Sequence, residues 1–393
     1  MLADASSGLD ELSLGLDELS LGLDDVEPST DAAAQHMESL LQALVRATFV
    51  GDVEQCEAAL ELCALHGADP NRLTSNGRSS LLTACHAGNA AVLAMLLLHG
   101  VRASSRGWHE TIALQLACSE GRLECVRLLL DAGSDVAAVD GSGATALLKA
   151  CTAGHAGCAA LVLLHGAAVD KATAVGLETA LQAASSEGHA ECVGILLENG
   201  ASPDLTDRFG ASALHLASWG GHVAVIQQLL RAGASCSAGD ERGRTALHLA
   251  ARGGQSAACR ALIQLGANCE TTCMLGATPL LETIEASRTA GHASCARELL
   301  AHGAKVDDLD EISRIELTTL IADPRADPDG APSSPPTAGL DGAADVACEG
   351  VVADSYDGSR ELSDGSRELS AEFTYQARAC AADPIPTPTP SPS

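Results

Sequence analysis

Fifteen cysteines and thirteen histidines carry most of the nucleophilic and metal-binding potential of this 393-residue chain. Zinc needs about four converging ligands, and a thiol becomes a nucleophile beside a base. The spacing argues against both. Cys85, Cys118 and Cys151 each stand three residues before a glycine, and Cys125, Cys158, Cys192 and Cys295 each stand four after one. Elsewhere the same positions hold Ala, Ser or Val, which suits small core residues in a reducing compartment. Cys269 and Cys273 form a lone CxxxC without a second pair or a nearby histidine. His155, His189, His222 and His292 follow the same glycine, while His99, His165 and His302 precede another. Residues so periodic are expected to be structural hydrogen-bonders. There is no phosphate loop, GxSxG, HExxH, dinucleotide fingerprint or kinase motif set. The expectation is a non-enzyme without cofactor or metal.

The elements that position these residues follow from the glycines. Gly51, Gly88, Gly121, Gly154, Gly188, Gly221, Gly254 and Gly291 recur in steps of 33 to 37 residues. A second series runs from Gly67 through Gly100, Gly133, Gly166, Gly200, Gly233 and Gly266 to Gly303. A fixed period of this size predicts an all-α repeat solenoid of about eight units, residues 38–321. Residues 1–37 and 322–393 read as disordered tails, the first acidic and Leu-rich, the second rich in Pro, Ser and Asp. The core must be aliphatic, because only 2% of residues are aromatic. A net charge of −29 argues against nucleic-acid or anionic-membrane binding. No signal-like leader and no run of about 20 apolar residues is present, so a cytoplasmic or nuclear location is expected.

One unit shows the local logic. In Asp240 to Cys269, DERG reads as a turn, and Thr245 is placed to cap a helix holding Leu247, Leu249 and Ala250. Gly253-Gly254 breaks that helix. A second carries Ala258, Ala261, Leu262 and Ile263, and Gly266 stops it. TALHLA at 245–250, SALHLA at 212–217, ATPLLE at 277–282, the recurrent GH pairs and LL-x-x-GA at 229–234 and 299–304 resemble the ankyrin repeat. The resemblance covers residues 38–320. It implies paired antiparallel helices, hairpin loops at right angles to them, and a concave recognition face. Two departures stand out. The signature proline survives only at Pro279, with Ala146, Ala180, Ala213 and Ala246 in its place elsewhere. The signature histidine, which ties adjacent loops in the family, survives only at His215 and His248. Leu82, Gln115, Leu148 and Gln182 replace it, which predicts a less rigid amino-terminal half. Residues 309–321 space Leu309, Ile312, Ile315 and Leu320 on one helical face, as a cap on the last unit.

The resemblance also says where partners bind: hairpin tips and the two residues before the first glycine. In units two to five the pre-glycine residues are small or polar. Units six and seven differ, with Arg208, Phe209, Glu241, Arg242 and Arg244 at the tips and Trp219 and Arg252 before the glycines. Arg and Trp dominate binding hot spots. A basic-aromatic patch for an acidic partner with an apolar anchor is therefore expected, against the alternative of solvated arginines and a packed Trp. Trp108, in the enlarged hairpin SSRGWHET, is read as loop packing or a second contact.

Residues 8–23, GLDELSLGLDELSLGL, repeat every seven residues. Leu12, Leu16, Leu19 and Leu21 resemble a nuclear export signal, and Leu12, Leu14 and Leu16 resemble an LxLxL repression motif; the alternative to both is a low-complexity acidic-apolar segment. Either acidic tail is a candidate to dock intramolecularly on the arginine-rich face. The carboxy-terminal segment duplicates DGSRELS and ends in PIPTPTPSPS, with Ser/Thr-Pro steps open to phosphorylation. No segment resembles a box that recruits ubiquitin ligases. The function expected is a non-catalytic scaffold or adaptor; the alternative is a transcriptional or signalling regulator whose tails act and whose repeats recruit.

Overall fold

Units 4 to 8 each begin with a polar hydroxyl that starts a helix. Thr145 Oγ1 accepts from Leu148 N–H at 3.2 Å, and Thr278 Oγ1 from Leu281 N–H at 3.3 Å with Pro279 in the first turn. Thr179, Ser212 and Thr245 form reciprocal capping boxes with Gln182, His215 and His248. Such caps satisfy helix N–H groups that would otherwise lack partners.

The computed structural model describes residues 30–103, 113–286, 290–306 and 309–322. Trp108, the leucine-rich segment 8–23 and residues 323–393 lie outside these. Among the described residues there are seventeen helices and no strand beyond two isolated antiparallel bridges, Val139 with Thr145 and Thr206 with Ser212. Unit 1 comprises α1 (Thr30–Val50) and α2 (Val53–His66). Units 2 to 5 comprise α3 (Ser80–Ala87) and α4 (Ala90–Leu98), α5 (Ala113–Ser119) and α6 (Leu123–Asp131), α7 (Ala146–Thr152) and α8 (Ala156–Leu164), and α9 (Ala180–Glu187) and α10 (Ala190–Glu198). Units 6 to 8 comprise α11 (Ala213–Gly220) and α12 (Val223–Arg231), α13 (Ala246–Arg252) and α14 (Ser256–Gln264), and α15 (Pro279–Glu285) and α16 (Ala290–Ala301). A last helix, α17 (Glu311–Ala322), follows. First helices stack on first helices and second on second, so the array is an all-α solenoid.

The core is aliphatic, one cluster running from Leu44 to Leu317. All thirteen described cysteines are free thiols, and twelve are buried. Burial pushes up the thiols of Cys56, Cys63, Cys85, Cys118, Cys125, Cys158 and Cys269, that of Cys63 to about 11, which disfavours the reactive thiolate. Among the described residues no group of three or more His, Cys, Asp or Glu is placed to hold a metal.

The glycine–histidine ladder has a geometric cause. Gly154 has φ +79°, and a Cβ there would lie 2.6 Å from Cε1 of the His189 ring. The bare glycine lets His189 Nε2 reach the Thr152 carbonyl of the preceding unit at 3.2 Å. His155 with Ser119 O, His222 with Ser186 O and His292 with Arg252 O repeat the contact at 2.9–3.1 Å. His99, His165 and His302 instead bond the carbonyl four residues back in their own helix.

The signature-histidine position brings a correction. His215 Nε2 bonds Ala238 O at 3.1 Å and Arg244 O at 3.0 Å, 23 and 29 residues on. Gln182 Nε2 donates to Leu205 O and Ala211 O, both at 3.0 Å, and Gln115 Nε2 to Ala138 O and Ala144 O at 3.1 and 2.8 Å, at the same two offsets. An amide nitrogen carries two protons where the imidazole has one at Nε2, so glutamine remakes the bridge in the amino-terminal half. Leu148 has no such group and packs with Ala144 and Ala183.

The cap helix also corrects its predicted face. Asp310 accepts from Ser313 N–H at 2.7 Å and starts the helix, so Leu309 stands before it. Leu317 is buried, and Leu320 and Ile321 pack on the core, while Ile312 and Ile315 are exposed.

Candidate partner-binding surface

A buried or half-buried aspartate organises the tips of units 6 and 7. Asp207 Oδ1 accepts from the N–H groups of Phe209 and Ala211 at 2.8 and 2.9 Å. Asp240 Oδ1 accepts from those of Arg242 and Arg244, both at 2.9 Å. Aspartate suits this turn because its short side chain mimics backbone acceptors. Burial pushes the Asp207 carboxyl up; the two N–H donors and Arg208 partly offset this.

The tips are tied to one another by their backbones. Arg208 N–H donates to Gly176 O at 3.1 Å, Glu241 N–H to Phe209 O at 3.1 Å, and Met274 N–H to Arg242 O at 2.9 Å. Four consecutive tips, those of units 5 to 8, thus form one continuous ridge. With their backbone groups mutually satisfied, the tip side chains are what the ridge presents.

The expected contact residues separate into two groups. Arg208 and Phe209 are half-exposed on the ridge, the guanidinium 4.7 Å from the ring centroid. Glu241 and Arg242 are exposed on the next tip. Trp219 is half-buried at the end of α11. Arg244 and Arg252 are not at the surface. Arg244 is buried in its own hairpin, with Nε and Nη2 on Asp240 Oδ2 at 2.9 and 2.8 Å. Arg252 is buried between units 7 and 8, with Nη1 2.6 Å from Glu282 Oε2. Both arginines complete internal ion pairs, and a sequence position alone does not show whether a carboxylate waits beneath.

The sequence reading also passed over residues that the ridge exposes. Val175 and Leu177 on the unit 5 tip are 62% and 51% exposed, and Met274 and Leu275 on the unit 8 tip are 76% and 84% exposed. The signal was present, since Val175 and Leu275 each precede a tip glycine as Phe209 does. Leu177 also has φ 54°, a left-handed conformation unusual for a bulky side chain. On unit 1, Phe49 stands two residues before its glycine, as Trp219 does in unit 6, and is exposed.

Comparisons with known proteins agree with this architecture. Family models for ankyrin repeats match residues 44–140 and 214–310 in a three-copy form and residues 180–230 in a multi-copy form. The human ASB11 ankyrin repeat domain, known from a crystal structure, is 30% identical with a TM-score of 0.52. That match covers 58% of this chain and 99% of that one. Comparison with curated proteins gave no match. Ankyrin repeats generally mediate protein–protein interaction, and the fold is typically non-catalytic. No described helix is long and apolar enough to cross a membrane. The stacked helix pairs, the bridged hairpins and these matches together make the chain a member of the ankyrin repeat family.

Proposed function

We propose that the protein is a non-catalytic adaptor that captures a protein partner on the hairpin ridge of units 5 to 8 and on Trp219 at the end of α11. One observation carries the reading. Four tips joined backbone to backbone present Arg208, Phe209 and Arg242 between two exposed aliphatic pairs. Exposed apolar side chains gathered in one place mark interaction surfaces, and arginine and aromatic residues supply most hot-spot energy. The fitting partner is an acidic segment with apolar anchors. Its carboxylates meet the guanidiniums, and its apolar groups cover the aliphatic tips.

The test is affinity purification with mass spectrometry, comparing wild type with Trp219→Ala/Arg242→Ala. Circular dichroism checks that the variant keeps its helices. Loss of a defined set of partners supports the ridge. An unchanged set, with fold intact, removes it.

A further inference from the structure

We propose that the ridge also joins two copies of this chain, with residues 8–23 of one copy docked on the ridge of the other. The proposal rests on the reading above and names one acidic, apolar-anchored segment that satisfies it.

The ridge sets the demand. Its ends are aliphatic, Val175 and Leu177 at one and Met274 and Leu275 at the other, and its middle tips carry Arg208 and Arg242. A ligand must bring apolar groups along the length of the ridge and carboxylates to its centre. Residues 8–23 carry Asp10, Glu11, Asp17 and Glu18, no Lys or Arg, and seven leucines. Leu9, Leu12, Leu16, Leu19 and Leu23 fall at alternating three- and four-residue steps, which make one stripe if the segment winds into a helix on docking. One seven-residue repeat then advances about 10.5 Å. Packed neighbouring helices, and so neighbouring tips, are about 8–10 Å apart. The acidic pair therefore recurs at nearly the step that separates Arg208 from Arg242.

The contact must be made between chains. Seven residues from Leu23 to Thr30 reach at most about 25 Å. From α1 to α11, at the centre of the ridge, there are five stacking steps, about 40–50 Å. A helical segment cannot lie on its own chain's ridge, but two copies can exchange segments and close as a symmetric pair.

The experiment uses the full chain in sedimentation velocity from about 1 to 100 µM, the range in which micromolar contacts saturate. Wild type is expected to self-associate with rising concentration, and less so at high salt. A segment variant, Leu12→Ser/Leu16→Ser/Leu19→Ser, and a ridge variant, Arg242→Glu/Leu275→Ser, are each expected to stay monomeric. Their equimolar mixture is expected to pair, because one supplies an intact ridge and the other an intact segment. Monomeric wild type, persistent association of either variant, or a mixture that fails to pair overturns the proposal. If the ridge variant loses its other partners while wild type remains monomeric, the self-docking fails and the ridge reading stands. If the ridge variant keeps both its partners and its self-association, both fail.

Discussion

Replacing His248 by glutamine is expected to leave the array nearly as stable as wild type, whereas alanine costs about 2–4 kcal/mol. The magnitude follows from the contacts. His248 Nδ1 accepts from Thr245 N–H at 3.1 Å and meets Thr245 Oγ1 at 2.9 Å, and Nε2 donates to Ala277 O at 3.0 Å. Each net hydrogen bond is worth about 0.5–1.5 kcal/mol, and a buried group left unpaired costs about 1–3 kcal/mol. Alanine strands both the capped N–H and the Ala277 carbonyl. Glutamine can hold both, as Gln182 does from Thr179 N–H at 2.8 Å to Ala211 O at 3.0 Å. The pair also differ in pH response. Burial pulls the pKa values of His215 and His248 below the ordinary imidazole value, so the folded state prefers them neutral. The unfolded chain takes up protons first as pH falls. Stability from these two groups is therefore full above about pH 6.5, and it falls as pH drops from there towards the folded-state pKa values. Denaturant titrations at pH 7.5 and pH 5.5 should show a smaller acid loss in His215→Gln/His248→Gln than in wild type. If glutamine destabilises as much as alanine, the bridging role is wrong. If the acid loss is unchanged, neutral buried imidazoles are wrong.

Breaking the Arg252–Glu282 pair by Glu282→Ala should cost about 1.5–3 kcal/mol, the worth of a hydrogen bond to a charged group; Arg242→Ala, at an exposed tip, should stay within about 0.5 kcal/mol, and equilibrium unfolding compares them. Gly154→Ala should cost at least 1–2 kcal/mol for its left-handed backbone alone, plus the collision with His189, so a double-mutant cycle with His189→Ala should be non-additive. Among the thirteen described cysteines, native alkylation followed by peptide mapping should label Cys236 first, since the other twelve are buried.

The fold was legible because the first glycine of each pair reflects a contact repeated through units 1 to 6. Wherever a histidine must pass a helix end to reach a carbonyl, as His189 passes Gly154, a side chain at the glycine is excluded. Partner-facing residues leave no such record. Arg242 and Arg244 are two residues apart in one hairpin, yet one is exposed and the other is buried on Asp240. What separates them is the direction of a side chain relative to an aspartate four residues back, and a list of charges does not carry that. Met274 and Leu275 were missed because attention to arginine and tryptophan discounted aliphatic residues, although their register matched that of Arg208 and Phe209.

The exposed ridge coincides with an unbroken series of polar bridges, and one irregular seam marks where the series stops. Gln182, His215 and His248 join units 5 to 8 without interruption. Between units 4 and 5 the position holds Leu148. In the regular hairpins the distal acceptor, 29 residues on, immediately precedes the helix cap: Ala211 before Ser212, Arg244 before Thr245 and Ala277 before Thr278. The unit 5 hairpin has one extra residue, so the corresponding place before Thr179 falls 30 residues on, at Glu178, and the residue at 29 is Leu177 with its left-handed backbone. The extra residue is confined to the tip, since Thr173 N–H donates to Glu178 O at 3.0 Å as Asp207 N–H does to Ala211 O, and Leu148 packs on Ala144 and Ala183 beneath it. Leu148→Gln should therefore stay within about 1 kcal/mol of wild type, a hydrogen bond to the Glu178 carbonyl offsetting the lost apolar contact, as glutamine serves at 115 and 182. Denaturant unfolding of the variant decides the matter. A loss of about 1–3 kcal/mol, the cost of burying an amide without its acceptors, would mean that the unit 5 hairpin holds that carbonyl out of reach, and that the bridged block begins where the ridge does.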